Sequence, residues 1–375
     1  MCAEYLGAKP DHAARRGALR SLLVENGLDA LLVTDLVNIR YLTGFTGSNA
    51  VLLVHAWDMR EAEDRTIIGT DGRYGAQVAE QVPDLQAEIA RATAPRVLDL
   101  AGEWQLGRVG FESHVVTVAQ HVAFEAQRTG LQLTPISGLV EQLRMVKDDY
   151  EVAQLRAACA AADAGLATLL ERGSLRPGRT EREVARELEW AMFGHGAEAI
   201  SFETIVATGP NSAIPHHRPT DAVLAAGDFV KLDFGAVVGG YHSDMTRTLV
   251  LGAPAEWQRE IYELVATAQR AGTAALAPGV ATSAVDAASR DVIEQAGYGA
   301  QFVHGLGHGV GLQIHEAPGV AKTSTGTLLA GVAVTVEPGV YLPGRGGVRI
   351  EDTLVVRETD PELLTRTSKD LTVVE

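Results

Sequence analysis

The segment 228–252 reads DFVKLDFGAVVGGYHSDMTRTLVLG and carries two carboxylates, Asp233 and Asp244, on either side of Gly239-Gly240. Two β-rich runs separated by paired glycines are a hairpin signal. Pairing the runs about the middle of that loop sets Asp233 opposite Asp244, with Cβ atoms about 4.5–5.5 Å apart. Carboxylates that close repel each other, and their neighbours Leu232, Phe234 and Met245 are apolar. A solvated acidic pair at a hairpin end is the plain explanation; a cation between the two is the chemical one. The segment 332–356 repeats the arrangement. Glu337 ends the run VAVTV, Glu351 follows VRI, and Pro343–Gly347 turns the chain between them. A second hairpin again brings two carboxylates together. Either pair alone fits a surface, whereas two such pairs in one domain point to a site.

A third element, HGLGHGVGLQIHE at 304–316, places three histidines, His304, His308 and His315, on a glycine-rich backbone. Its glycines do not fit G-x-G-x-x-G and no Lys-Ser/Thr follows, so it is not a phosphate loop; nor is it H-E-x-x-H. Alternating glycines instead permit close approach of chain or ligand. His216 and His217 add two imidazoles from the loop Gly209–Pro219. Charge can then be counted. Asp233, Asp244, Glu337 and Glu351 carry four negative charges, and two divalent ions carry four positive ones. With the neutral imidazole of His308 this makes a balanced, oxygen-rich cage. Bridging carboxylates hold two metals about 3.5–4 Å apart in hydrolytic sites. Without metal, four crowded carboxylates face desolvation and mutual repulsion. Oxygen ligands with one imidazole suit manganese, cobalt or zinc.

The elements that must position these residues fall into two groups. Up to about residue 140, Leu28–Thr34, Ala50–Val54, Arg65–Thr70 and Arg108–Glu112 read as buried strands. Helical stretches lie near His12–Asn26, Tyr74–Gln81 and Val115–Arg128, which predicts a small α/β domain. From Lys147 the pattern changes. Val152, Leu155, Cys159, Ala162, Leu166 and Leu169 are spaced as one face of a long helix. Thr180 followed by Glu183 is a capping box opening a second helix to about Phe193. Two more helices are predicted at Trp257–Ala275 and Ser283–Ala296, among Val-rich strands at 203–208, 228–236, 241–251, 332–337 and 348–356. That order is α+β, with helices on one side of an antiparallel sheet. The boundary is expected near residues 140–148, giving domains of 1–142 and 143–375.

Composition excludes several classes. The chain has 375 residues, 46% apolar and 21% charged, and a formal charge of 32 − 48 = −16. Such a surface repels phosphate backbones, so nucleic acid is not an expected partner. Two cysteines, Cys2 and Cys159, build neither a disulfide framework nor a Cys-based zinc site; Cys159 is expected in the core. The first residues, Met1 to Lys9, lack the apolar core of a signal peptide. No apolar run approaches the roughly 20 residues that span a bilayer. The cytoplasm is the expected location, with no membrane partner.

Together these segments resemble the metallopeptidase family with the pita-bread fold: methionine aminopeptidase, aminopeptidase P and prolidase. NIRYLTGFTGSNA (38–50) and TDGRYGAQVAEQVP (70–83) are similar to the N-terminal domain of aminopeptidase P and prolidase, also found in creatinase. LRMVKDDYEVAQLRAA (143–158) is similar to the helix leading into their catalytic domain. GPNSAIPHHRP, LDFGAVVGGYHSDMTRT, HGLGHGVGLQIHEAPG and TVEPGVYLPGRGGVRIEDT match the catalytic motifs in order. The resemblance implies a creatinase-type α/β domain followed by a catalytic domain whose antiparallel sheet is covered by helices. It implies two divalent ions, manganese first, with cobalt or zinc as alternatives. Asp233 would chelate one metal through both oxygens, Asp244 and Glu351 would bridge the two, and His308 and Glu337 would complete the other. His216 would contact the scissile peptide, and His315 would stand beside the tetrahedral intermediate. His304, Tyr341 and Arg349 would line the substrate pocket or support it; a role for His217 is open.

The reaction implied is hydrolysis of Xaa-Pro bonds by a metal-held hydroxide. Glu337 would relay a proton to the leaving amine and His315 would donate to the developing oxyanion. His216, His304 and Tyr341 would supply walls for the pyrrolidine ring. Three specificities share these motifs: aminopeptidase P, prolidase acting on dipeptides, and a proline-directed carboxypeptidase. No arginine lies between His315 and Glu337, where some prolidases bind the substrate carboxylate; Arg345 or Arg349 could compensate, but the expectation leans to aminopeptidase P. Creatinase lacks the metal-ligand set kept here, a non-catalytic binding relative typically loses the ligands or the histidines, and methionine aminopeptidase lacks the extra N-terminal domain. A homodimer acting on small proline-containing peptides is the assembly the resemblance implies.

Overall fold

The computed structural model describes residues 9–56, 63–127 and 130–375. Cys2 lies outside the described residues, as do Met1–Ala8 and the predicted helix end at Arg128. The chain divides into two compact units that part between Arg144 and Met145.

The first unit follows the order α1 (His12–Glu25), β1 (Ala30–Val33), α2 (Leu36–Thr43), β2 (Ala50–His55), β3 (Ile67–Thr70), α3 (Gly75–Gln81), β4 (Gln86–Ile89), α4 (Thr93–Glu103), β5 (Arg108–Glu112), α5 (Val118–Gln127), β6 (Gln132–Ile136) and α6 (Leu139–Met145). Its sheet runs β4-β3-β2-β1-β5-β6. β2 is antiparallel to both neighbours, and the remaining pairs are parallel. The central strands are buried along their whole length, which is why they read as unbroken apolar runs. The edge strands β4 and β6 and the helices α2 and α4 are absent from the sequence reading. Both edge strands are half-exposed and carry polar residues, so no apolar run announces them.

The second unit continues with α7 (Asp149–Glu171), α8 (Glu181–Gly194), β7 (Ala199–Ile200), β8 (Ile205–Thr208), β9 (Phe229–Phe234), β10 (Ala236–Val238), β11 (Tyr241–His242), β12 (Met245–Leu251), α9 (Glu256–Ala274) and α10 (Thr282–Gln295). It ends with β13 (Gly307–Gly309), β14 (Glu316–Val320), β15 (Ala333–Val336), β16 (Gly339–Leu342), β17 (Gly346–Arg349), β18 (Asp352–Val355), β19 (Glu362–Leu363) and β20 (Val373–Val374). The expected capping box is present, Thr180 and Glu183 capping α8 with reciprocal side-chain to backbone bonds, and a second one, not singled out from the sequence, caps α7 through Asp148 and Glu151. All six residues of the predicted α7 face are buried, Cys159 among them.

Two cores form. α7 and α8 pack over β8, β9 and β12 through Leu166, Leu188, Val206, Leu232 and Phe234. α9 and α10 pack over the second sheet through Val265, Val285, Val334, Val336 and Leu354. Each helix pair covers its own sheet, ordered β20-β12-β9-β8 and β14-β13-β15-β18-β19. The chemistry-bearing carboxylates lie at or next to the ends of strands of these two sheets.

Candidate metal centre

Asp233 lies near the end of β9 and Asp244 directly precedes β12. His308 is the middle residue of β13, Glu337 follows β15, and Glu351 sits between β17 and β18. All five line one cavity of about 280 Å³, with His216, His217, His315, Glu203 and Arg218 on its wall.

The register of the first hairpin differs from the expectation. Gly239 and Gly240 form its turn, both with positive φ (58° and 81°). Val238 pairs with Tyr241, Met245 with Phe234 and Thr246 with Asp233. Asp233 therefore faces Thr246, and Asp244 falls two places along, level with Gly235. Direct opposition would need the turn centred one residue earlier. The two carboxylates are instead diagonal neighbours on one face, at the roughly 7–8 Å spacing of such pairs. In the second hairpin Val336 pairs with Asp352, and one further step of that register sets Glu337 opposite Glu351, as expected.

His308 is aimed by its own strand. Its Nδ1 lies 3.0 Å from the Gly309 carbonyl, which can only accept, so that nitrogen carries hydrogen. Nε2 then faces Asp244 Oδ2 and Glu337 Oε1, each 3.5 Å away. This is the orientation of a metal-ligating imidazole whose other nitrogen is held by backbone. The flanking glycines make it possible. A Cβ on Gly307 would sit 2.0 Å from the Thr335 carbonyl oxygen, and one on Gly309 2.3 Å from that of Ala317.

A cation fits this donor set. Asp244, His308 and Glu351 offer ligand atoms that all lie within 4.8 Å of one another. Asp233 Oδ1 and Glu351 Oε1 are buried and have no hydrogen-bond partner. A buried carboxylate oxygen left unpaired costs several kcal/mol, and a bound divalent ion removes that cost. The other oxygens are engaged: Thr246 Oγ1 donates to Glu351 Oε2 (2.6 Å), and Arg349 Nη2 donates to Asp233 Oδ2. Of the two Asp233 oxygens expected to chelate, one thus accepts from Arg349 and the other is unpaired.

Electrostatics agree. Burial, with help from the neighbouring carboxylates and against the pull of His308 and Arg349, pushes Asp244 up to about 6 from 3.8 and Glu337 up to about 7 from 4.5. Glu351 rises well above the carboxylate range for the same reasons. Burial works against a charged His308, yet Asp244 and Glu337 push it up to about 9 from 6.5. In all four groups the folded state binds protons more tightly than the unfolded chain. In the metal-free protein these groups therefore contribute stability that is present at acid pH and is lost as pH rises through about 6, 7 and 9. Thermal melts of chelator-treated protein should show a Tm that declines from pH 5 to pH 9, and saturating manganese should cancel the decline. A Tm of metal-free protein that rises over this range would contradict the cluster's repulsion.

Three expected pocket residues stand elsewhere. His304, Tyr341 and Arg349 do not line the cavity but form a buried chain behind Asp233. Arg349 Nη1 donates to Tyr341 Oη (2.7 Å), and Tyr341 Oη lies 2.8 Å from His304 Nε2. His304 Nδ1 faces the Gly305 carbonyl at 2.8 Å and so carries hydrogen. Burial and the Arg349 charge push His304 down to about 3, leaving it neutral, so Tyr341 donates to Nε2. Of the two places the resemblance allows them, lining the pocket or supporting it, they take the supporting one, behind Asp233. His315 packs edge-on against His308, ring centroids 4.3 Å apart, and burial lowers its pKa. His217, Glu203 and Arg218 are wall residues that motif reading left unassigned or missed. Glu203 and Arg218 pair with each other at 3.0 Å and are exposed.

Four carboxylates and an imidazole, gathered where two helix-backed sheets meet, define a metal-dependent hydrolase. Residues 153–358 match metallopeptidase family M24, and residues 15–146 match the creatinase/prolidase N-terminal domain. The chain belongs to metallopeptidase family M24, a family that works with divalent metal ions. It is similar to an Xaa-Pro dipeptidase of Pyrococcus horikoshii, 33% identical over 92% of this chain and 95% of the relative. Among solved structures it is similar to an Xaa-Pro dipeptidase from Bacillus anthracis (39% identity, TM-score 0.92, covering 97% of this chain and 100% of that one). It is also similar to an X-Pro aminopeptidase from Thermotoga maritima (31% identity, TM-score 0.87, covering 96% and 99%). No helix among the described residues is long and apolar enough to cross a membrane.

Proposed function

We propose that the chain hydrolyses Xaa-Pro peptide bonds and that Xaa-Pro dipeptides are its main substrates. The observation that carries the reading is the cavity itself: a full set of five ligand residues, a histidine on either side, and one arginine, Arg218, among the lining residues. Asp233, Asp244, His308, Glu337 and Glu351 would hold two divalent ions, manganese being the first choice. Bound there, such ions supply Lewis acidity and make water acidic enough to attack near neutral pH.

The remaining chemistry belongs to side chains. Glu337, at the edge of the cavity, accepts the proton of the attacking water and returns it to the leaving nitrogen. His315, neutral because of its burial, donates N–H to the oxygen on which charge develops. His216 contacts the scissile peptide. A bond to proline offers no N–H, so the leaving side is recognised by shape. Phe202, Ile205 and Ile314 supply apolar wall, in place of the expected His304 and Tyr341.

Two observations move the reading from aminopeptidase P to a dipeptidase. Relatives similar over nearly the whole chain carry the dipeptidase name. The carboxylate-binding cation sought between His315 and Glu337 also has a counterpart, Arg218, on the loop after His217. Its exposed partnership with Glu203 is worth at most about 1 kcal/mol, so a substrate carboxylate can replace it. Incubating manganese-loaded protein with Xaa-Pro, Xaa-Pro-Yaa and longer peptides, with products identified by mass, should show rapid release of proline from dipeptides. Preferred removal of the first residue from the longer peptides would restore the aminopeptidase reading. Arg218→Ala should raise KM for Xaa-Pro roughly fivefold and leave the corresponding amide unchanged; an equal effect on both would remove Arg218 from carboxylate recognition.

A further inference from the structure

His216 is exposed on the cavity wall, and its side chain makes no hydrogen bond among the described residues. Its place is therefore set by the backbone on which it stands. That backbone is fastened on both sides by buried side chains that the sequence gives no reason to single out.

On the upstream side stands Lys231, fully buried in β9. Its Nζ donates to the carbonyls of Ile214 (2.6 Å) and Pro215 (3.2 Å) and lies 5.0 Å from the centre of the Tyr341 ring. Arg349 Nη1 donates to the same Pro215 carbonyl at 3.2 Å. A buried amine is costly unless compensated, and here the hydrogen-bonded compensation comes from the two carbonyls that directly precede His216.

On the downstream side stands Glu181, the first residue of α8 and fully buried. Oε1 accepts from the Thr208 amide and from Asn211 Nδ2, both at 2.9 Å. Oε2 accepts from the Thr220 amide (2.9 Å), from Thr220 Oγ1 (2.7 Å) and from His217 Nε2 (2.8 Å). One carboxylate thus gathers five donors from residues 208–220, and one of them is the neighbour of His216. Burial opposes its charge, but these donors hold its carboxyl below the usual range.

We infer that Glu181 and Lys231 are positioning residues for His216: a buried carboxylate and a buried amine whose hydrogen bonds pin the chain before and after it and so aim a ring with no anchor of its own. The inference deepens the peptidase reading and rests on it for the role of His216. A glutamine at 181 must turn its NH2 toward donors at one oxygen position or the other, losing two or three of the five bonds. A methionine at 231 keeps the volume, frees the Ile214 carbonyl and leaves that of Pro215 to Arg349 alone. Misplacing a catalytic contact by about 1 Å costs on the order of 10²-fold in rate.

The test uses the manganese-loaded full chain with Glu181→Gln and Lys231→Met, each alone and combined with His216→Ala. Metal content by mass spectrometry should stay at the wild-type value. On an Xaa-Pro dipeptide each single variant should lose about 10²-fold in kcat/KM. In the His216→Ala background the same changes should cost less than about threefold. Hydrogen exchange of the amides of 209–220 should accelerate in both variants, with the rest of the unit unchanged. Equal losses with and without His216, or unaltered exchange in this segment, would overturn the inference. Should Glu181→Gln fail to fold, Asn211→Ala, which removes one donor, carries that side. If the wild type cleaves no Xaa-Pro peptide the peptidase reading falls, while the exchange result still decides whether the two side chains pin the segment.

Discussion

Replacing Asp244 by asparagine should abolish metal binding and peptide cleavage together, yet stabilise the metal-free protein above pH 7. Asp244 is 4% exposed and shares its space with His308 and Glu351. An amide keeps the shape but removes one of the four negative charges that, in the proposed site, would offset two divalent ions. Losing several kcal/mol of metal-derived charge stabilisation corresponds to roughly 10³-fold in rate. The effect on the metal-free protein has the opposite sign, because Asp244 then contributes repulsion toward Glu351 and Glu337. Melts at pH 8 with chelator and with manganese should reverse the order of variant and wild type. A variant that kept two bound ions, or lost stability equally under both conditions, would show that Asp244 is an ordinary buried carboxylate.

His315→Ala should separate the two properties that Asp244→Asn joins. His315 touches His308 edge-on but contributes no oxygen or nitrogen to the group formed by Asp244, His308 and Glu351. Metal content and Tm should therefore stay close to wild type. In the proposed mechanism its N–H acts on charge that appears only as the carbonyl is attacked, so the loss should fall on kcat, by on the order of 10²-fold, with KM little changed. A wild-type kcat would remove its transition-state role; loss of metal would mean that it supports His308 instead.

Much of the site was legible because its residues sit at strand ends next to turn signals. Glu337 and Glu351 follow the register of a hairpin whose turn is marked by Pro343 and Gly344. His308 stands between glycines that nothing larger could replace. The Asp233–Asp244 pairing was misread by two residues, since a glycine pair at 239–240 fixes the turn centre and a displacement of half a residue moves the partner by one. Lys231 was hidden because a single cation inside a buried strand has no periodic signature. Glu181 was hidden behind its neighbour: Thr180 and Glu183 announce a capping box, and the residue between them carries no motif although five donors converge on it. Arg218 was missed because the carboxylate-binding cation was sought between His315 and Glu337 and then at Arg345 and Arg349, while the exposed loop after His217 carries no motif that points to it. In the first unit, β4 and β6 were invisible for the opposite reason, being half-exposed edges with polar residues.

The account stands or falls on whether divalent ions occupy the space among Asp233, Asp244, His308, Glu337 and Glu351. Anomalous diffraction from crystals of the chain equilibrated with manganese measures this directly. Two peaks within coordination distance of those five side chains are the predicted result. A single peak bound elsewhere, or a cluster that remains free of manganese in an otherwise intact fold, would contradict it.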